Sequence, residues 1–312
     1  MAVLVSGSNG FIGKRLCERL RGIGYEVIGV DKETGPKVQE ISTVTKGINI
    51  EHVVHLAAIS SLPECEEDPV KAYDENVLST IHLLDLSKDL PLKSFTFAST
   101  SAVYENSSFK LSVDEHAQLM PDLVYSQSKL AAENICMSYI KNYRMPISIL
   151  RLFNVYGFGS NTRRKSPPLI GYIIDCLKKN KKPVLHGDGL QRRDYIYIED
   201  VIRAIELAMD QPTNCAVNIC SGKTYSVKKI YGLIAKEMGS DIEPEYREED
   251  LFWDKYNING TKFRLIGSRI AEEVNKYICG NNELAEYLLN FCPKYSISEG
   301  IKETVEKYLG RK

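Results

Sequence analysis

The sequence predicts an α/β protein: a Rossmann-type, doubly wound parallel sheet followed by a smaller, mixed α/β C-terminal domain. Two observations carry this. Short apolar runs alternate with longer amphipathic ones through the first half, and a glycine-rich turn joins the first run to the first helix. Strand, helix, strand in repetition means a parallel sheet covered on both faces, with ligands at the carboxyl ends of its strands.

The strands, in order, are AVLVSG, YEVIGVD, HVVHLAA, SFTFAST and ISILRLF, mostly β-branched or apolar. Between most of them lie helical segments: GFIGKRLCERLRGIG, VKAYDENVLSTIHLLDLSKD and SKLAAENICMSYIKNY. After Arg151 the rhythm loosens. A polar loop, SNTRRKSPP, precedes the helix LIGYIIDCLKKN, and YIYIEDVIRAIELAM reads as a strand running into a helix and returning to the large sheet. The tail carries helices VKKIYGLIAKEM and ISEGIKETVEKYL. The expected boundaries are 1–165 for the Rossmann domain, with 194–222 returning to it, and 166–193 plus 223–312 for the smaller domain.

The chain of 312 residues is 43% hydrophobic and 26% charged, and Lys+Arg 40 against Asp+Glu 41 leaves almost no net charge. That balance gives nucleic acid or an anionic membrane no electrostatic hold as a main partner. The apolar runs are too short for a bilayer, and MAVLVSGSNG turns glycine-rich too soon for a secretory signal, so a cytoplasmic location is expected. Eight scattered cysteines without CxxC spacing, and five histidines that do not gather with them, read as free thiols and no metal.

GSNGFIG (Gly7, Gly10, Gly13) follows the first strand and opens the first helix. Glycines there permit the tight turn and let backbone approach a pyrophosphate, which the helix N-terminus stabilises. Asp31 ends the second strand, where a carboxylate accepts both ribose hydroxyls of NAD and repels the 2′-phosphate of NADP; the adjacent Lys32 softens that preference.

VYSQSK places Tyr125 and Lys129 four residues apart, on one helical face. A free tyrosine titrates near pKa ~10, and a neighbouring ammonium brings it toward a useful range for proton transfer. Alone, such a pair is ordinary surface sequence. FASTSAVY, about 25 residues earlier, adds Thr100 and Ser101 at a strand end that converges on the same edge.

With these residues in place, the chain resembles the extended short-chain dehydrogenase/reductase family, in its NAD-dependent nucleotide-sugar epimerase/dehydratase branch. The matching pieces run in order through nearly the whole chain: GSNGFIG, Asp31, HLAA, DENVLSTIHLLD, FASTSAVY, YSQSK, RLFNVYG, GDGLQRRDYIYIEDV and NICSG. The resemblance implies that Tyr125 is the acid/base, that Lys129 binds the nicotinamide ribose and tunes Tyr125, and that Thr100 holds the sugar's reacting oxygen, with Ser101 beside it. It implies NAD, tightly bound, against Gly7, Gly10, Phe11, Ile12, Gly13, Asp31, Lys32, Leu56, Ala57, Ala58, Asn76 and Ser99. For a nucleotide sugar such as a UDP-sugar it implies Asn154, Leu169, His186, Arg193, Arg247 and Asp250, in a smaller domain that binds the nucleotide sugar. Arg193 fits phosphate by its guanidinium fork, or else pairs with Asp194 or Asp200. A homodimer is implied through the helices near 69–88 and 125–143.

The hydroxyl motif discriminates among reactions. Dehydratases and decarboxylases of the family carry an acidic residue directly after the hydroxyl; this chain reads Thr100-Ser101-Ala102. That is similar to the 4-epimerases, which need one acid/base and one hydride acceptor. The alternatives are a 4,6-dehydratase, a 4-ketoreductase, or a non-catalytic scaffold of the same fold. Departures from the family are the missing Gly-Asp motif before HVVHLAA, which leaves the adenine to Ile41 and Ser42, and Glu105 and Cys220 in place of glycines, read as tolerated backbone positions. Extra sequence, LFWDKYNINGTKFRLIGSR, follows REED, so that Arg247 and Arg269 both compete for phosphate. Its Trp253 reads as a packing residue.

Overall fold

The computed structural model describes residues 1–32, 41, 47–105, 112–160, 166–253, 257–258, 261–262 and 265–311. Strands β1 (Ala2–Ser6), β2 (Glu26–Val30), β3 (Ile50–His55), β4 (Ser94–Thr100) and β5 (Ile147–Leu152) are joined at one edge by β9 (Ala216–Ile219). They form one six-stranded parallel sheet in the order β2-β1-β3-β4-β5-β9. Side chains alternate across it. Val3 and Val5 of β1 join one apolar cluster with Leu16, Leu20, Ile202 and Ile205, whereas Leu4 joins the other with Val53, Phe95, Leu83 and Ala132. A strand buried on both faces has no polar face to show, which is why these segments read as continuous apolar runs.

The chain beyond β5 departs from expectation. β6 (Asn154–Tyr156) continues directly from β5, and β8 (Arg192–Tyr197) pairs with it and with β10 (Thr224–Ser226) in a separate three-stranded sheet. YIYIED therefore does not return to the large sheet; the helix Ile198–Asp210 intervenes, and β9 makes the return. Residues 194–197 are buried in the small sheet just as they would be in the large one, so the apolar pattern could not tell the two apart. β7 (Val184–His186) and β11 (Glu245–Arg247) form a parallel pair further out.

The segment read as one helix from Val70 onward is three pieces: Pro69–Tyr73, a π-helical turn Asp74–Leu78, and Ser79–Ser87. Ile41 is fully buried in the core with Leu4, Val30 and Ile50, so it packs rather than lining an adenine pocket, and Ser42 lies outside the described residues. Among the described residues no helix is long and apolar enough to cross a membrane, and no group of three or more His, Cys, Asp or Glu could hold a metal ion.

Candidate active site

The turn after β1 leaves no room for a side chain at Gly7 or Gly13. Gly7 sits at φ 69, in the left-handed region, and its N–H donates to the Val30 carbonyl at 2.9 Å. A Cβ on Gly7 would stand 2.8 Å from the Ala57 nitrogen, and one on Gly13 would stand 2.1 Å from the Gly7 carbonyl oxygen. Gly10 begins the helix Phe11–Gly22, which has no side-chain cap and no acidic residue in its first turn. Its first N–H groups and dipole thus favour an anion. Phe11 and Ile12 open that helix half-buried against the core. Asp31 follows β2, and its carboxylate accepts from the Asn9 N–H at 3.1 Å, which holds it over the turn. Lys32 pairs with Glu75 at 3.3 Å.

Leu56, Ala57 and Ala58 leave β3 half-buried, and the Ala57 N–H donates to Ser6 Oγ at 3.3 Å. Beneath them Ser6 Oγ is bonded to His55 Nδ1 at 2.6 Å, and His55 Nε2 to Thr80 Oγ1 at 3.0 Å. Burial, with the Lys129 cation nearby, pushes His55 down to about 3, so the ring is neutral. Asn76 occupies the π-helical turn. Its Oδ1 accepts from the Ile59 N–H at 2.8 Å, and its Nδ2 donates to the Ile59 carbonyl at 3.1 Å and to Ser128 Oγ at 2.9 Å. Ser128 Oγ donates to the Tyr125 carbonyl at 2.7 Å, so Asn76 clamps the chain beyond β3 to the tyrosine's helix.

That helix is Val124–Tyr143. Tyr125 is half-buried on it against Ile59, Cys65 and Ala72. One turn on, Lys129 is 3% exposed, with its ammonium 4.0 Å from the Phe97 ring centroid and no hydrogen bond to another described residue. Burial pushes it down to about 8. Thr100 ends β4, and its Oγ1 accepts from the Ala102 N–H at 3.2 Å, capping the short turn Ser101–Tyr104. Ser101 is buried in that turn. Ser99, expected at the cofactor, instead donates its hydroxyl to Glu133. Glu133 receives the Arg151 guanidinium at 2.7 Å from Nη2 and 3.0 Å from Nε, and Arg151 Nη1 donates to the Tyr104 hydroxyl at 2.7 Å. Ser99 alternates with Thr100 across the strand, so it faces this buried network.

The residues expected at the sugar nucleotide are more dispersed. Asn154 donates to the Asp194 carbonyl at 2.9 Å. Arg193 pairs with neither Asp194 nor Asp200; its Nη2 donates to the Glu273 and Val274 carbonyls at 2.6 and 3.1 Å, capping the helix Gly267–Asn275. Leu169 opens the helix Leu169–Lys178, half-buried. His186 is held by the Glu248 carbonyl at 3.0 Å and meets the Phe252 ring edge-on at 5.2 Å. Arg247 is exposed and paired with Glu245 at 2.8 Å, and Asp250 is exposed in a short turn. Arg269 is the buried one of the two competing arginines, with a side chain 12% exposed and Nη2 donating to Glu105 at 2.6 Å.

Two functional candidates escaped the sequence reading. The tyrosine's helix has Leu123 at its N-cap and no side-chain cap. Its donors go to distant carboxylates instead: Val124 N–H to Glu66 at 2.6 Å, and Asp122 N–H, Leu123 N–H and Ser126 Oγ to Glu105 at 2.9, 3.1 and 2.7 Å. Glu105, read as a tolerated backbone position, is a buried carboxylate. Burial alone pushes it up, but Lys276 and these donors outweigh burial, and it titrates below the ordinary carboxylate range. The only available signal was a charge where the family has glycine.

The class of protein follows: a dinucleotide-binding Rossmann protein in which Tyr125 and the buried Lys129 stand one helical turn apart. Turn glycines that admit no Cβ, an uncapped helix end, Asp31 at the second strand and a buried Lys129 fit NAD, as seats for its pyrophosphate and its two riboses. The profile of the NAD dependent epimerase/dehydratase family matches residues 3–220. The chain belongs to this family, and its cofactor is NAD. It is 32% identical, over 78% of its length and 85% of the relative's, to a Methanocaldococcus jannaschii protein provisionally named UDP-glucose 4-epimerase. Its fold is similar to the UDP-glucose 4-epimerase of Thermotoga maritima solved with UDP-glucose (TM-score 0.87, 25% identity, 100% and 99% of the two chains covered). It is also similar to the UDP-glucuronic acid 4-epimerase of Bacillus cereus solved with NAD (TM-score 0.80, 26% identity, 100% and 99% covered).

Proposed function

We propose that this protein interconverts a UDP-sugar with its C4 epimer through a transient 4-keto sugar. The observation that carries this reading is the hydroxyl turn: Thr100 is followed by Ser101 and Ala102, while Glu66 and Glu105 are committed to backbone N–H groups and Glu133 to Ser99 and Arg151. A 4,6-dehydratase needs a carboxyl group to move a carbon-bound proton, and none of these is placed to do so.

Bound NAD supplies the hydride acceptor and then the donor. Tyr125, as phenolate, takes the proton from the sugar 4-hydroxyl and later returns it, while Thr100 holds that oxygen. Lys129 stabilises the phenolate and meets the nicotinamide ribose; its ammonium, otherwise resting on Phe97, gains acceptors there. Asn154, Arg193 and Arg269 are the candidates that keep the diphosphate anchored while the keto sugar turns. The His186–Phe252 pair is the candidate surface for the base.

The test is NMR of UDP-glucose, UDP-N-acetylglucosamine and UDP-glucuronate incubated with the enzyme. C4 inversion of one of them is expected. A dehydrated or reduced product with no inversion would overturn the reading. We further propose a homodimer through the helices near 69–88 and 125–143, where Val70, Tyr73, Leu78 and Tyr143 are exposed; a monomer mass in solution would refute it.

A further inference from the structure

The start of the tyrosine's helix and the helix Gly267–Asn275, with Lys276 just beyond it, share one carboxylate, Glu105. Its two oxygens have separate duties. Oε2 accepts from the Asp122 N–H just before the helix, from the Leu123 N–H at its N-cap and from the Ser126 hydroxyl in its first turn. Oε1 takes Arg269 Nη2 at 2.6 Å and lies 3.9 Å from Lys276 Nζ. The Arg269 Nε is buried with no hydrogen-bond partner among the described residues. An apolar contact runs alongside: Leu123, the N-cap residue, packs with Trp253 and with Ile270 of the helix Gly267–Asn275. Tyr125 follows Leu123 by two residues, so any shift of the N-cap shifts the phenol.

We propose that Glu105 is a positioning residue that couples the packing of Trp253 and of the helix Gly267–Asn275 to the placement of Tyr125. One oxygen sets the helix start, and the other clasps Lys276 and Arg269, the candidate phosphate arginine. A glycine at this place could do neither. The inference rests on the reading of Tyr125 as the proton carrier, but the clasp itself does not.

Two substitutions separate the duties. Glu105→Gln retains an acceptor for the helix start and loses the charge that holds Arg269 and Lys276; Glu105→Ala loses both. Trp253, the only tryptophan and 2% exposed, reports its own packing directly through acrylamide quenching of its fluorescence.

For E105Q, the expected result is a Trp253 more open to quencher and a raised KM for the nucleotide sugar, with kcat within about threefold of wild type. For E105A, kcat also falls, by roughly 10²-fold, because an ångström of misplacement at a reacting group costs about that much. A merely structural residue would lower the folded fraction and leave kcat per folded molecule unchanged. Equal kcat in E105A and wild type, or a Trp253 equally shielded in E105Q and wild type, overturns the proposal. If E105A fails to fold, the E105Q comparison still decides the clasp. If the wild type turns over no nucleotide sugar, the epimerase reading falls, while the clasp stands or falls on Trp253 quenching.

Discussion

Replacing Lys129 by methionine exchanges a buried ammonium for an apolar chain of similar length. The lysine is 3% exposed, and burial moves it from the ordinary 10.5 to about 8. At about 1.4 kcal/mol per unit, that shift represents roughly 3 kcal/mol held against the folded state. Attraction to the Phe97 ring at 4.0 Å returns about 1 kcal/mol of it. The unfolded chain binds this proton more tightly than the fold does. The penalty is therefore full below about 8, shrinks as pH rises toward 10.5, and is gone above that value. The cofactor-free Lys129→Met protein should then be more stable than wild type by about 2 kcal/mol near neutral pH, a margin that closes toward about pH 10. It should at the same time lose turnover and NAD affinity. Urea unfolding of both proteins at the two pH values, followed by Trp253 fluorescence, measures this. A less stable variant at neutral pH, or a margin independent of pH, would refute the reasoning.

The remaining expectations concern the turn, the acid/base and the buried pair. Tyr125→Phe should lower turnover by about 10³-fold while NAD stays bound to the purified protein; a variant that keeps its activity would remove Tyr125 from the chemistry. Gly13→Ala forces a Cβ to 2.1 Å from the Gly7 oxygen, so the turn must open by about 1 Å, at a cost of roughly 1–3 kcal/mol. Calorimetry should show NAD affinity reduced at least about tenfold, and affinity equal to wild type would mean that the turn does not seat the cofactor. Glu133→Ala leaves Arg151, whose side chain is 6% exposed, without its carboxylate. The expected loss in urea unfolding is about 3–5 kcal/mol, and a loss below about 1 would show that Tyr104 and water suffice for Arg151.

How much of this was legible follows from distance along the chain. The glycine turn, Asp31 and the Tyr125–Lys129 pair declare themselves because their geometry is local: a turn of seven residues, a strand end, one turn of helix. The sequence by itself thus determined the parallel sheet, the dinucleotide turn and the tyrosine–lysine pair on one helical face. It could not assign YIYIED to the right sheet, since residues buried on both faces look alike in either. Nor could it see that Asn76 clamps Ile59 to Ser128, or that Ser99 turns away to Glu133.

Only the tertiary structure decided what caps the tyrosine's helix. A local cap would have been a serine or aspartate at position 123; here the acceptors are Glu66 and Glu105, brought 58 and 18 residues through the fold. Burial decided the rest. The same lysine that marks the motif in the sequence becomes a strained ammonium at about 8 only when Phe97 and the sheet exclude water from it, and that exclusion is a property of packing.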